Sequence, residues 1–211
     1  MSTKPAAGRP TPTKPRGRQS TFDRDEALQT ALELFWRHGY EGVSLADLTS
    51  AMGIAAPSLY HAFGNKAELY RAVLRRYGAD GMSVADIAAT PSALEAARRM
   101  LERGVAAVTR PGRPLGCMIS SGMLMAGPEN AALAGELRAL RATLRVALQE
   151  RIERDVLEGV LPAGTDAATL SRLVASVLQG LSVQALDGAP GGELLAVARA
   201  ALMAWPKGHD K

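Results

Sequence analysis

The chain of 211 residues has one cysteine, Cys117, and three histidines, His38, His61 and His209. A lone thiol excludes an internal disulfide framework and fits a reducing cytoplasm. Histidines this scattered leave no grouped imidazoles for a hard or borderline metal, so no metal site is expected. No window approaches 18 consecutive apolar residues, which excludes a helical membrane span. The opening MSTKPAAGRP has basic residues with no apolar run behind them, so a secretory signal is not expected. Aromatic residues make up only 4% of the chain, and beyond Tyr77 the sole one is Trp205. A cage of aromatic walls for flat or cationic ligands cannot be built there. There is also no glycine-rich phosphate loop after a strand, no HExxH pair and no nucleophile elbow. The sequence therefore argues against an enzyme and implies no cofactor.

Hydrophobic residues are 47% of the sequence, enough for a substantial core. The net charge of +4 is unevenly spread. Residues 1–20 carry Lys4, Arg9, Lys14, Arg16 and Arg18 and no acid, a balance of +5. The segment from Thr21 to Tyr77 stands at −1 and the remainder at 0. Residues 1–20, rich in Pro and Gly, read as a disordered basic arm with little to bury. Arg16-Gly17-Arg18 suits phosphates or a minor groove; the alternative is a solvated tail that aids solubility.

Helix-start signals recur and no strand pattern is evident. Asp23 with Glu26 opens a first helix, with Ala27, Leu28, Ala31, Leu34, Phe35 and His38 on one face and Gly39 as its stop. Ser44 with Asp47 opens a second, stapled by Val43 and Leu48 and ending near Gly53. A third covers residues 55–63, and Asn65 with Glu68 caps a fourth carrying Leu69, Val73, Leu74 and Tyr77. After a looser stretch at 78–91, Ser92 with Glu95 starts a helix running to Thr109. Residues 116–126 read as a short, fully buried helix, and a long helix is expected over 130–158. Two more span 166–186 and 193–205.

The most informative segment is SLADLTSAMGIAAPSLYHAFGNK, Ser44 to Lys66. It reads as a helix, a tight turn at Gly53-Ile54-Ala55 and a second helix, with Leu45, Leu48, Met52, Ile54 and Leu59 fixing their angle. That is helix-turn-helix geometry, in which the second helix enters a major groove. Close approach needs small residues with a few polar or planar groups, and Ala56, Pro57, Ser58, Tyr60 and His61 supply them. Hydroxyls of Ser58 and Tyr60 suit phosphates, as does Lys66; His61 can reach a base edge, and Ala56 and Pro57 suit a thymine methyl. The alternative is a bundle whose short helices merely pack, with Tyr60 and His61 as ordinary surface residues.

These residues resemble the TetR family of bacterial regulators over about residues 22–77. The matching positions are Gly53-Ile54, Pro57-Ser58-Leu59-Tyr60-His61, Phe63, Asn65-Lys66 and Glu68-Leu69. Upstream, Ala31 to Phe35 and His38 to Ser44 also match. The resemblance implies phosphate contacts from Tyr60, Ser44 and Lys66, and base reading from Ala56, Pro57 and His61. Ala62 departs from members that carry a second polar or aromatic residue there. The implied architecture is all-α: a three-helix helix-turn-helix DNA-binding head at 21–66, then a helical effector-binding and dimerisation body at 67–211. The implied activity is that of a cytoplasmic, ligand-responsive transcriptional repressor, released from its operator by a small molecule. Activation, thiol-based redox or electrophile sensing, an architectural DNA binder without an effector, and a helical enzyme are the alternatives.

The body's last two predicted helices carry Leu170, Leu173, Val174, Val177, Leu178 and Leu181, then Leu194, Leu195, Val197, Ala198, Ala201 and Leu202. Two apolar helices at the end of a chain suit a two-fold four-helix interface, hence a homodimer on a pseudo-palindromic operator. The alternative is that they close only the monomer's core. Candidate pocket residues are Met100, Cys117, Met118, Leu124, Leu137 and Leu140, compatible with an aliphatic or flexible ligand; ordinary core is the other reading. Cys117 follows Gly116 near Arg113, a setting that can activate a thiol, hold Cu(I) with Met118 or Met123, or simply bury an inert one.

Overall fold

A computed structural model describes residues 22–78 and 81–206. The basic arm, with Arg16 and Arg18, lies outside the described residues. Among the described residues the chain is helical: α1 (Arg24–His38), α2 (Leu45–Met52), α3 (Ala56–Phe63), α4 (Lys66–Gly78), α5 (Val84–Ala88), α6 (Ala93–Val108), α7 (Met118–Ser121), a 3-10 turn at Pro128–Asn130, α8 (Ala131–Leu157), α9 (Ala167–Leu186) and α10 (Gly191–Leu202).

The caps explain most helix starts. Asp23 accepts from the amides of Asp25 and Glu26 at 2.8 and 3.2 Å. Ser44 and Asp47 form the full reciprocal box: Asp47 N–H donates to Ser44 Oγ at 3.1 Å, and Ser44 N–H donates to Asp47 Oδ2 at 2.8 Å. Asn65 Oδ1 accepts from the Glu68 amide at 2.9 Å. At α6 the box is one-sided, because Ser92 accepts from the Glu95 amide while the Glu95 carboxylate turns to Arg98 and Arg99.

Two hydrophobic cores result. The first gathers Leu28, Phe35, Tyr40, Val43, Leu48, Leu59, Phe63, Leu69 and Tyr70, and also takes Met118, Leu133 and Leu137. The second packs Ile87, Met100, Leu101, Leu148, Ile152, Leu170, Val174, Leu181, Leu194 and Trp205. Helix α8 belongs to both. A division at Lys66 therefore cuts through the first core, because α4 buries Leu69, Tyr70, Ala72, Val73 and Leu74 in it. On α1 the buried face runs through Leu32, whereas Leu34 is half-buried and His38 exposed; at 3.6 residues per turn the position next to Leu28 and Ala31 faces inward.

Two further expectations fail. The helix predicted over 116–126 exists only at Met118–Ser121. Met123 takes a positive φ of 51° that ends any helix, and Leu124 and Met125 are 61% and 93% exposed. Conversely, the stretch 78–91 holds α5, opened by a capping box between Ser83 and Asp86.

The C-terminal half of α8 is fixed by a buried ion pair, Arg151 with Asp155. Asp155 Oδ2 also accepts from the Ala93 amide at 2.7 Å, and Arg151 donates to the Pro91 carbonyl at 2.8 Å. The pair thus ties α8 to the start of α6 and satisfies backbone groups that would otherwise be orphaned. Replacing Asp155 by Ala strands a buried guanidinium and is expected to cost about 3–5 kcal/mol. Urea denaturation measures it; a loss near that of a surface substitution would mean that Arg151 finds water instead.

Candidate nucleic-acid interface

Helices α2 and α3 meet across the turn that the sequence marks. Gly53 closes α2 in the left-handed region at φ 65°, and its N–H donates back to the Ser50 carbonyl. A side chain there would be strained, so glycine belongs at this corner. Ile54 N–H donates to the Thr49 carbonyl at 3.1 Å and turns the chain into α3. Ala55 is the N-cap of α3 and makes no side-chain cap, while Pro57 sits in its first turn.

The sides of α3 separate cleanly. Leu59 and Phe63 are buried in the first core, and Ala62 is half-buried. Ala56, Pro57, Ser58, Tyr60 and His61 are exposed, Tyr60 at 47%. The structure thus brings all five on to the outward side of one helix. An open groove of about 560 Å³ runs beside it, lined by Phe22, Arg24, Pro57, Ser58, His61 and Ala62. Arg24, its guanidinium 4.9 Å from the centre of the Phe63 ring, puts a cation next to α3. Sequence reasoning missed Arg24 because its position, just after the capping Asp23, marks it only as a helix start.

Ser44 and Lys66 flank this surface but are engaged. Ser44 is exposed, yet its hydroxyl donates to Asp47 Oδ2 at 2.6 Å while capping α2. That hydrogen bond, foremost, holds the Asp47 carboxyl below its usual range. Lys66, at the first position of α4, lays its ammonium 4.2 Å from the centre of the Tyr40 ring. Burial pulls its pKa down, against Glu41 and Asp47, which raise it. Lys66 is therefore held in place by a ring face and can present its charge beside α3 from there.

The candidate pocket residues converge only in part, Met118 and Leu137 sharing one core. Met100 lies in the second core, Met118 and Leu137 in the first, and Leu124 and Leu140 are exposed. Their shared aliphatic character suggested a common wall, but helix packing sends them to different places. A groove of about 360 Å³ between α6 and α10 is lined instead by Arg98, Leu101, Glu102, Ala198, Arg199 and Leu202. Cys117 is half-buried as the N-cap of α7; its amide donates to Ser182 Oγ at 2.8 Å, and its sulphur accepts from the Ser120 amide. No cluster of three or more His, Cys, Asp or Glu suited to a metal occurs among the described residues. No helix among them is long and apolar enough to cross a membrane.

Comparison with known proteins agrees with this geometry. Residues 27–73 match the family model described as bacterial regulatory proteins, tetR family. The HTH-type transcriptional repressor ComR of Escherichia coli (strain K12) is 35% identical over 198 residues, 92% of this chain and 94% of its own. The HTH-type transcriptional repressor BdcR of the same organism is 29% identical over 185 residues, 86% of this chain and 88% of its own. Among solved structures, a cysteine mutant of the TetR-family regulator CifR, complexed with 26-base-pair operator DNA, superposes with a TM-score of 0.81 at 44% identity, covering 92% of this chain and all of that one. Head geometry, family match and a relative spanning nearly the whole chain lead to one conclusion: the protein belongs to the TetR family of bacterial transcriptional regulators.

Proposed function

We propose that this regulator is a dimeric repressor that grips a pseudo-palindromic operator through α3 and leaves it when a small molecule binds the body. The carrying observation is the outward side of α3, where Ala56, Pro57, Ser58, Tyr60 and His61 stand together. In this reading Tyr60, Ser58, Ser44 and Lys66 hold phosphates, with Arg16 and Arg18 of the arm. Ala56, Pro57 and His61 read base edges. The names of ComR and BdcR support repression, and the DNA complex of CifR supports the docking mode. A protein acting on operator DNA works in the cytoplasm.

In this reading the dimer surface uses only part of the apolar residues named for the last two helices, Leu173 and Val197 among them. Leu170, Val174, Leu181, Leu194 and Ala198 close the monomer's own core. The outward strip is Leu173, Ser176, Gly180 and Val183 on α9, with Ala196, Val197 and Ala200 on α10, Val197 being 53% exposed. Small residues at i, i+3/i+4 spacing allow two such helix pairs to approach closely across a two-fold axis. Gly180 has open space where a Cβ would stand. Gly180→Arg is therefore expected to leave the monomer folded, to shift sedimentation from dimer to monomer, and to cut operator affinity at least tenfold. A dimer that survives this substitution would remove α9 from the interface.

The reading as a whole is tested by fluorescence anisotropy against DNA from upstream of the protein's own gene, with a random duplex as control. Saturable, selective binding of two protomers per site is expected. Equal, salt-sensitive binding to both duplexes would speak for an architectural protein. Lys66→Ala is expected to weaken all sequences and lower the salt slope by about 1. Tyr60→Phe should weaken all sequences by about fivefold, and His61→Ala should change sequence preference. Three variants indistinguishable from wild type would defeat the assignment of α3.

One observation favours a second reading, thiol sensing. Cys117 lies where head and body meet: Trp36 Nε1 donates to the neighbouring Gly116 carbonyl at 3.2 Å, and the Trp36 and Tyr77 rings meet edge to face at 4.8 Å. Burial first, and Cys117 beside it, push the Tyr77 phenol up. Cys117→Ser is expected to keep operator affinity. If peroxide or diamide releases wild type but not this variant, the thiol is the sensor; release unchanged by the substitution removes that reading.

A further inference from the structure

Helix α8 carries Arg138, Arg141 and Arg145, at i, i+3 and i+7, along one side. Most arginines elsewhere on α4, α6 and α8 meet carboxylates: Arg71 with Glu136, Arg98 and Arg99 with Glu95, Arg151 with Asp155. None of these three has a carboxylate at ion-pair distance among the described residues. Arg145 donates to the neutral Gln149 at 3.2 Å. Arg141, half-buried, donates through Nη1 to the carbonyls of Ile119 and Gly122 at 3.0 and 2.9 Å. Burial, then the neighbouring Arg138, hold its pKa below the usual guanidinium value. A partly desolvated cation flanked by two more, with no anion, is costly.

An orphaned hydroxyl lies beside it. Tyr70 on α4 is fully buried, and its hydroxyl has no hydrogen-bond partner. Burial pushes the phenol up to about 12, so it remains a donor. Gly122 joins the two groups. A Cβ added there would meet Leu137 Cδ2 at 2.7 Å and the Tyr70 hydroxyl at 3.1 Å, so the place is closed while this segment stays put, and its carbonyl is one of the two that Arg141 holds. Met118, Leu137, Ile119 and Met123 supply apolar surface around them. The segment after Gly122 packs little, with Leu124 and Met125 exposed and Met123 in a sparsely populated conformation.

We infer that the effector is an aliphatic carboxylate, with its head group on the Arg141 guanidinium and the Tyr70 hydroxyl and its tail along Met118, Met123 and Leu137. The inference rests on the ligand-responsive reading above and gives that ligand a chemical class. A planar carboxylate accepts from a guanidinium fork and a phenol together, and Arg138 and Arg145 add attraction without contact. Unbranched methionines suit a flexible chain. A carboxylate on Arg141 competes with the Ile119 and Gly122 carbonyls and so loosens the segment that lies against Tyr70. Because Tyr70 sits on α4, the signal starts on the helix that leads to the DNA-binding head.

The test is calorimetric titration of the full chain with butyrate, hexanoate and octanoate, with octanol as neutral counterpart and inorganic phosphate as head group alone. Octanoate is expected to bind at least tenfold more tightly than octanol or phosphate. Tyr70→Phe should weaken octanoate about fivefold while leaving Tm unchanged or raised, since the lost hydroxyl had no partner. Arg145→Gln should weaken it without touching the held carbonyls, and Arg141→Lys should weaken it at least tenfold. The inference is overturned if no carboxylate binds, if octanol binds as well as octanoate, or if the Tyr70 and Arg145 variants bind like wild type. Octanoate binding that leaves operator affinity unchanged would support the site and remove the release mechanism. Release by octanol alone would support ligand response and overturn the carboxylate.

Discussion

The structure depends on one helix serving two cores. Helix α8 has 27 residues and so runs about 40 Å at 1.5 Å per residue. Its first turns bury Leu133 and Leu137 with the DNA-binding head, and its last turns bury Ala147, Leu148 and Ile152 in the body. Between Leu137 and Ala147 no residue is buried, and that middle carries the arginine stripe. The far end cannot slide freely, because the Arg151–Asp155 pair fastens it to Pro91 and Ala93. Packed cores resist gradual deformation. A ligand that disturbs the middle of α8 must therefore be answered at its near end, where Leu133 and Leu137 meet α4 and where Arg71 bridges to Glu136 through Nη2 at 2.6 Å.

The two cores are built from different materials, and this separates their tasks. Phe35, Tyr40 and Tyr70 pack with ring centroids 4.9 to 6.1 Å apart, adding rigidity to a head too small for a large aliphatic core. The body uses Ala, Leu, Val and Met, with Trp205 its single ring. A stiff head keeps the side chains of α3 at fixed spacing, while Met118 and Met123, which pack against the edge of that core, are the flexible side chains that can give way to a guest.

What the sequence made legible follows the same division. In the head, capping residues, a turn glycine and 3.6-residue periodicity all fall within short range, so local pattern alone places Ser44, Gly53 and the outward side of α3. In the body, composition misleads. The run at 116–126 is small and apolar, which resembles a buried helix, yet two glycines and the turn at Met123 leave only one helical turn. On α9 and α10 almost every position is apolar or small, so periodicity could not tell the core side from the outer strip. The capping box at Ser83 was readable by the rule used at Ser44, but five residues offer no apolar period to notice. Arg141 was invisible for a different reason: its setting is defined by tertiary partners, two backbone carbonyls in place of a carboxylate, which no local pattern encodes.

The charge distribution carries the last step. The head taken with α4, Thr21 to Tyr77, is acidic by one unit, an unusual balance for a surface that meets phosphates. Its acids are largely occupied: Asp47 in its capping box with Ser44, Glu68 on Arg71, and Asp25 near Arg76 at 3.7 Å. Glu68 and Asp25, each beside an arginine, repel DNA less than free carboxylates would, whereas Asp47 keeps its charge within its cap. The exposed cations of the interface are then few, Arg24 beside α3 and Lys66 on Tyr40, while five more positive charges precede residue 21. Non-specific attraction scales with the number of phosphates neutralised, so the proposed reading assigns most of it to the five positive charges of the arm. The folded head, poor in free charge, is left to discriminate by fit. That suits a regulator whose release has to be complete: a helix held mainly by shape loses its grip when spacing changes by little.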